Sequence, residues 1–137
     1  MLKFVGIFAF LKMKTDISHI WLGQFSTNAP NDFFKERYDR EDDEPLSPFA
    51  ESQGETWYDH DFMEISYLLD PLPISRLVAG HSYAEQYLEA VLSKASSIGL
   101  EGANVFIMAS KRLFKSARSV EGVGFRLWYL GEYECNI

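Results

Sequence analysis

Between Ser82 and Gly99 the sequence carries one clear amphipathic helix pattern, and a short apolar run, Asn104-Val105-Phe106-Ile107-Met108-Ala109, follows close behind. Ala84, Leu88, Val91, Leu92, Ala95 and Ile98 recur near the 3.6-residue period of a helix buried on one side. Ser82-Tyr83-Ala84-Glu85 has the form of a capping box, in which a serine hydroxyl and a glutamate carboxylate satisfy two otherwise unpaired amides at a helix start. Gly99 supplies a left-handed stop. A helix with a single apolar stripe has to bury it against another element, and the run that follows reads as a buried strand. The pair predicts a helix lying on a sheet.

Other segments extend the pattern. Ser18-His19-Ile20-Trp21-Leu22-Gly23-Gln24-Phe25 is short, β-branched and aromatic and reads as a strand. Phe33, Phe34 and Tyr38 give an apolar edge to a short helix across Asn31 to Tyr38, with Ser26-Thr27-Asn28 as cap candidates and Pro30 in the first turn. Asp39 to Glu44 is a charged loop. Ser47 to Gly54 predicts a helix of two turns, with a serine cap, Pro48 at its first position and Gly54 as its stop. A strand is expected within Trp57 to Leu69, broken by Asp70-Pro71-Leu72-Pro73. Gly124 to Gly131 reads as a last strand with apolar side chains on both faces. Strands and helices mix without a fixed strand–helix repeat, so an α+β fold with a mixed or antiparallel sheet and a few helices is expected, rather than a doubly wound α/β fold.

A chain of 137 residues has the length of one domain and buries enough surface to fold without a disulfide or a metal. Its single cysteine, Cys135, excludes both a disulfide framework and a thiolate zinc site within one chain. The first thirteen residues hold an eight-residue apolar run, Phe4 to Leu11, far short of the roughly 20 residues of a membrane span. Lys12-Met13-Lys14 does not resemble a cleavage site. Residues 1–13 are therefore read first as an N-terminal extension, next as a buried strand and last as an export signal, with 14–137 as the domain. The lone cysteine and the weak leader point to a reduced, cytoplasmic protein.

The formal charge is −7, and it is not spread evenly. Residues 31–64 hold twelve acids and three bases, a net of −9, and the rest of the chain nets +2. Four bases without an acid, Lys111, Arg112, Lys115 and Arg118, form a smaller block of the opposite sign. So acidic a chain is a poor partner for nucleic acid or an anionic membrane and a better one for a basic protein. Acidic loops often serve solubility alone. Here, though, the acids interleave with Phe33, Phe34, Tyr38, Phe49, Trp57, Tyr58 and Phe62. A field of one sign speeds encounter, and desolvated aromatic anchors hold the complex. The candidate binding residues are Tyr38, Asp39, Glu41, Asp42, Asp43, Glu44, Trp57, Tyr58, Asp59, Asp61 and Glu64. The competing reading puts Trp57 and Tyr58 in the core.

Catalytic signals are sparse. Asp59-His60-Asp61 with Glu64 has the residue types for a hard divalent ion or for acid–base work. In a strand, however, Asp59 and Asp61 would share a face with His60 pointing away, so a single centre would need a loop. A surface cluster is the favoured reading, and a small metal-dependent or acid–base enzyme built on Asp59, Asp61 and Glu64 is the alternative. His19 and His81 stand alone, His19 in an apolar strand where a structural role is expected. Cys135 has no base beside it. No nucleophile-elbow pattern occurs, and Gly122-x-Gly124 is too short for a phosphate loop. No catalytic residue, metal or cofactor is predicted.

The Ser18–Phe25 strand, the Phe34–Tyr38 helix edge, Ser47-Pro48-Phe49-Ala50 and Tyr58-Asp59-His60-Asp61-Phe62-Met63-Glu64 resemble, in order and spacing, the immunity protein 22 family, earlier a domain of unknown function. The resemblance spans roughly residues 16–131, with Phe125 to Gly131 matching the family's last strand. It implies a small bacterial α+β protein without enzymatic activity, encoded beside a polymorphic toxin, that protects its own cell by binding the cognate toxin domain. A generic adaptor of a secretion system is a weaker reading. The resemblance carries over no contact residues, so the binding candidates rest on charge and aromatic content. Many nuclease toxins are basic because they hold phosphates, and an acidic inhibitor can imitate that backbone. Oligomeric state is left open by the sequence.

Overall fold

The computed structural model describes residues 14–137 apart from 27 and 42, so the proposed extension lies outside the described residues. Five strands form one antiparallel sheet: β1 (Thr15–Phe25), β2 (Met63–Pro73), β3 (Gly102–Ser110), β4 (Val120–Gly122) and β5 (Phe125–Asn136), in the order β2-β3-β1-β5-β4. The helices are α1 (Ala29–Phe33), α2 (Pro48–Ser52), α3 (Ile74–Val78) and α4 (Ala84–Ser97). The expected α+β class is the one observed. No described helix is long and apolar enough to cross a membrane.

β1 is the middle strand, as its apolar content requires. Trp21 pairs with Ile107 of β3 on one side and Tyr129 of β5 on the other. The β5 register shifts beside Ile20, leaving Leu130 as an extra residue. Alternation along β5 sends Leu127 to one core and Leu130 to the other, and the bulge then shifts the phase so that Tyr133 and Cys135 join Leu130 on its face. Gly122-Val123-Gly124 makes the tight β4–β5 hairpin, with Gly124 at φ +79 where a side chain would be strained.

Two cores sandwich the sheet. On one face α3 and α4 pack Leu77, Val78, Tyr87, Val91 and Ala95 against Ile20, Leu22, Phe106 and Leu130. On the other, Trp21, Val105, Ile107 and Leu127 are covered by Phe33, Leu46, Phe49, Tyr58 and Phe114, which come from a mostly irregular layer. Trp21 is its centre. Its ring lies 5.4 Å from each of the Phe49, Phe114 and Tyr129 rings, and its indole N–H donates to the Arg118 carbonyl at 3.2 Å.

Local signals hold in part. Ser47 caps α2 by accepting the Ala50 N–H at 3.1 Å, and Gly54 (φ +76) follows its end. Gly99 (φ +74) ends α4. The capping box of α4 does not form. Tyr83, not Ser82, is the N-cap, held at φ +60, and the Ser82 N–H donates instead to Glu64 of β2 at 3.1 Å. Helix α1 stops at Phe33, short of the expected Tyr38, because the core draws in Phe33 and Phe34 while Tyr38 turns outward. The Asp70–Pro73 segment does not end β2 either. The strand bulges after Tyr67 and re-pairs at Leu72↔Ala103 and Pro73↔Gly102.

Candidate functional site

The acidic segment builds the irregular layer. Its inner side chains serve the core and its outer ones form a surface. The loop after α1 is pinned by backbone bonds, Arg37 N–H to Leu46 O at 2.7 Å and Leu46 N–H to Thr56 O at 2.9 Å, with Leu46 itself fully buried. Arg40 braces it from within, donating to the Glu44 carbonyl at 2.8 Å and the Arg37 carbonyl at 2.9 Å. Asp39, Glu41, Asp43 and Glu44 are exposed on this loop. Asp42 lies outside the described residues.

Tyr38 and Trp57 stand together on the outside, 61% and 52% exposed, with ring centroids 6.4 Å apart in a T-shaped contact. The Arg40 guanidinium lies 5.7 Å from the Trp57 ring. Tyr38 donates to the Glu36 carboxylate, which also meets His60 Nδ1 at 3.0 Å. The bond to Glu36 pushes the Tyr38 phenol up from its ordinary range. His60 Nε2 sits 3.4 Å from Asp61 Oδ1, so a cluster of Glu36, Tyr38, His60 and Asp61 adjoins Trp57. Phe62 is half-exposed, with the Arg112 guanidinium 4.3 Å from its ring centre.

Tyr58 belongs to the core. It is 1% exposed, its hydroxyl lies 3.1 Å from Ser47 Oγ, and burial pushes its phenol well above its ordinary range. Of the two neighbours Trp57 and Tyr58, one is therefore an outward side chain and the other a packed one. The expectation that Tyr58 anchors a partner gives way to the core reading that stood beside it.

Asp59, Asp61 and Glu64 are not assembled into one centre. Asp59 caps the 3₁₀ turn His60–Phe62 by accepting the Asp61 N–H at 3.0 Å. Asp61 and Glu64 border a cleft of about 350 Å³ together with Asp16, yet each is engaged elsewhere, Asp61 with His60 and Glu64 with His81 and Ser82. Among the described residues no three His, Cys, Asp or Glu side chains group so as to hold a metal.

Sequence reading missed the surroundings of His81. Ser66 Oγ lies 2.8 Å from His81 Nε2, and His81 Nδ1 lies 3.0 Å from Glu64 Oε1. Glu64 and Ser66 share a face by the period of two, and the long-range pairing supplies His81. The atom order is that of a nucleophile–base–acid relay. Ser66, however, sits within a strand paired to Phe106 of β3, not on a sharp turn that would raise its hydroxyl to a substrate, and the His81 ring lies on Phe106 at 4.3 Å. These bonds tie β2 to the turn before α4. Burial raises the Glu64 carboxyl, but bonds from Ser82 and His81 outweigh it and leave the carboxyl below its ordinary value.

His19 is structural, as expected: Nδ1 lies 2.7 Å from the Tyr129 hydroxyl and Nε2 lies 3.0 Å from the Phe114 carbonyl. Cys135 is buried among α4-facing residues, and burial pushes its thiol up, away from a nucleophile's range. The segment that carries the basic block ties to the acidic layer through its backbone, while its Lys111 ammonium pairs with Glu132 of β5 at 3.4 Å. Lys115 N–H donates to Glu55 at 3.0 Å, and Gln53 brackets Arg118, accepting its N–H at 2.7 Å and donating to its carbonyl at 3.0 Å.

The family model described as Immunity protein 22 matches residues 18–135. No curated protein and no solved structure matches the chain.

Proposed function

The chain belongs to the immunity protein 22 family, and from that premise we propose that it neutralises a cognate bacterial toxin domain by binding it through the outer surface of the acidic layer. The observation that carries the choice of surface is the Tyr38–Trp57 pair. Two large aromatic rings, Tyr38 on the braced loop and Trp57 packed beside it, are half or more exposed, near Asp39, Glu41, Asp43, Glu44, Asp59 and Asp61 in the acidic segment. Exposed aromatics in a mainly acidic surround have the make-up of a hot spot with a steering field.

The favoured partner is basic. A nuclease domain suits this surface, since such a domain carries cationic groups for phosphates and carboxylates can occupy the same groove. The protein would act in the cytoplasm of the toxin-producing bacterium, one immunity protein per toxin domain, with no chemistry of its own. Two further features support a binder. The Asp59, Asp61 and Glu64 side chains each engage neighbouring groups, and the surface acids Asp39, Glu41, Asp43 and Glu44 sit on a loop pinned by backbone bonds and braced by Arg40.

The test is co-purification. The C-terminal domain of a toxin encoded directly upstream should form a complex with the full chain, and co-expression should restore growth to cells making that domain. A toxin domain that binds the full chain equally well after Tyr38→Ala and Trp57→Ala together would remove this surface from the interface.

A further inference from the structure

The sheet has two edges, each open along part of its length among the described residues. At one, β4 (Val120–Gly122) pairs with Phe125–Leu127 of β5 alone, and the rest of β5, which carries Glu132 and Glu134, has no described strand on that side. β2 forms the other with eleven residues, Met63–Pro73, and among the described residues no strand pairs with its outer side. An unpaired row of backbone N–H and C=O groups is a template for another strand, and natural sheets blunt such edges with shortness, lysine, proline or bulges. Pro71, Pro73 and the bulge blunt the second half of β2. The first half, Met63-Glu64-Ile65-Ser66-Tyr67, carries neither proline nor lysine.

The bulge also exposes apolar surface. Residues 68–71 stand opposite Asn104 alone, since pairing jumps from Tyr67↔Val105 to Leu72↔Ala103. Asn104 turns to β1, where its amide bonds both the N–H and the carbonyl of Phe25 at 2.8 and 2.7 Å. Leu68 and Leu69 are left 43% and 67% exposed. Tyr67 beside them stacks on Phe34 at 5.9 Å, which joins this edge to the aromatic layer.

Charge selects the occupant. No lysine or arginine falls between Arg40 and Arg76, and ten acids do. A second copy pairing along β2 would bring Glu64 and Asp70 against the same acids, and like charges across a strand pair are destabilising. A basic strand gains from them instead.

We infer that the outer edge of β2 accepts an extended, basic segment of the toxin domain as a sixth strand, with Leu68 and Leu69 taking its apolar side chains. The inference rests on the immunity reading above. Main-chain bonds along the edge supply affinity with little demand on sequence, while the leucines and the acids supply selectivity.

Amide hydrogen exchange on the full chain, free and in complex with the cognate toxin domain, tests it. Protection should appear within residues 63–71 on binding. Leu68→Lys with Leu69→Lys should weaken the complex at least tenfold, mainly through faster dissociation, and leave the melting temperature within about 2 °C because both side chains are exposed. Normal affinity with unchanged β2 exchange would overturn the inference and leave the immunity reading standing. Failure of any neighbouring toxin domain to bind would remove both. Protection of β2 without toxin, at twice the monomer mass, would give the edge to a second copy and overturn it as well.

Discussion

The two faces of the sheet are covered in different ways. One carries α3 and α4, whose buried side chains recur with helical spacing. The other carries α1, α2 and long irregular stretches held by aromatic rings around Trp21. A helix offers solvent one regular stripe. An irregular layer can aim side chains outward wherever the chain turns, and Tyr38 and Trp57 reach solvent in this way while Leu46, Phe49 and Tyr58 go inward. Loops fixed on a rigid scaffold are where binding residues concentrate. The proposed reading therefore puts recognition on the irregular face, whose core is built from rings rather than from periodic aliphatics.

Breaking each core should show the contrast most strongly. Trp21→Ala is expected to cost about 3–5 kcal/mol in denaturant unfolding, since it empties the centre of the aromatic layer and orphans the Arg118 carbonyl. Leu77→Ala on the helical face should cost less, about 2 kcal/mol, because the truncation removes a smaller side chain with no hydrogen bond to orphan. Equal losses would mean that the aromatic layer is no more tightly packed than the helical one.

Trp57 and Tyr58 divide inside from outside within two residues. Trp57→Ala should weaken toxin binding by about 2 kcal/mol and change stability by no more than about 0.5 kcal/mol. Tyr58→Phe should do the reverse, removing the hydroxyl bonded to Ser47 at a cost of about 1 kcal/mol in stability, with binding unchanged. A thermal melt and a binding titration on each variant decide between these outcomes.

A smaller effect belongs to the helical side. The folded Glu64 carboxyl lies below its ordinary value of 4.5, so its bonds to His81 and Ser82 add stability above that value. The contribution fades as pH falls through the lower, folded value. Stability measured from pH 6 down to pH 3 should fall less steeply in Glu64→Gln than in the parent. An unchanged slope would mean that the exposed part of this carboxylate is screened by water.

What the sequence revealed follows the range of the forces involved. β1, β3 and β5 were legible as apolar runs, α4 as a period, and α2 from Ser47, Pro48 and Gly54, because neighbouring residues carry those signals. The unformed capping box was not legible, since the competitor for the Ser82 amide is Glu64, eighteen residues earlier and on another strand. The Ser66–His81–Glu64 contact was missed for the same reason. The re-pairing of β2 past Pro71 depends on β3, thirty residues on, and outweighs a local break signal. At the candidate site, charge and aromatic content were legible along the chain, but a burial pattern that changes between Trp57 and Tyr58 has no local signature in an irregular chain.

On the proposed reading, the outer acids of the irregular layer steer a basic toxin domain onto Tyr38 and Trp57. Stopped-flow association with the cognate domain, over a range of salt, measures this for the parent and for the variant combining Asp39→Asn, Glu41→Gln, Asp43→Asn and Glu44→Gln. Steering by these acids requires an on-rate roughly tenfold lower at low salt in the variant, a flatter salt dependence, and a dissociation rate within about twofold of the parent. An on-rate equal to the parent's at low salt would contradict it and make the acidic loop a solubility feature.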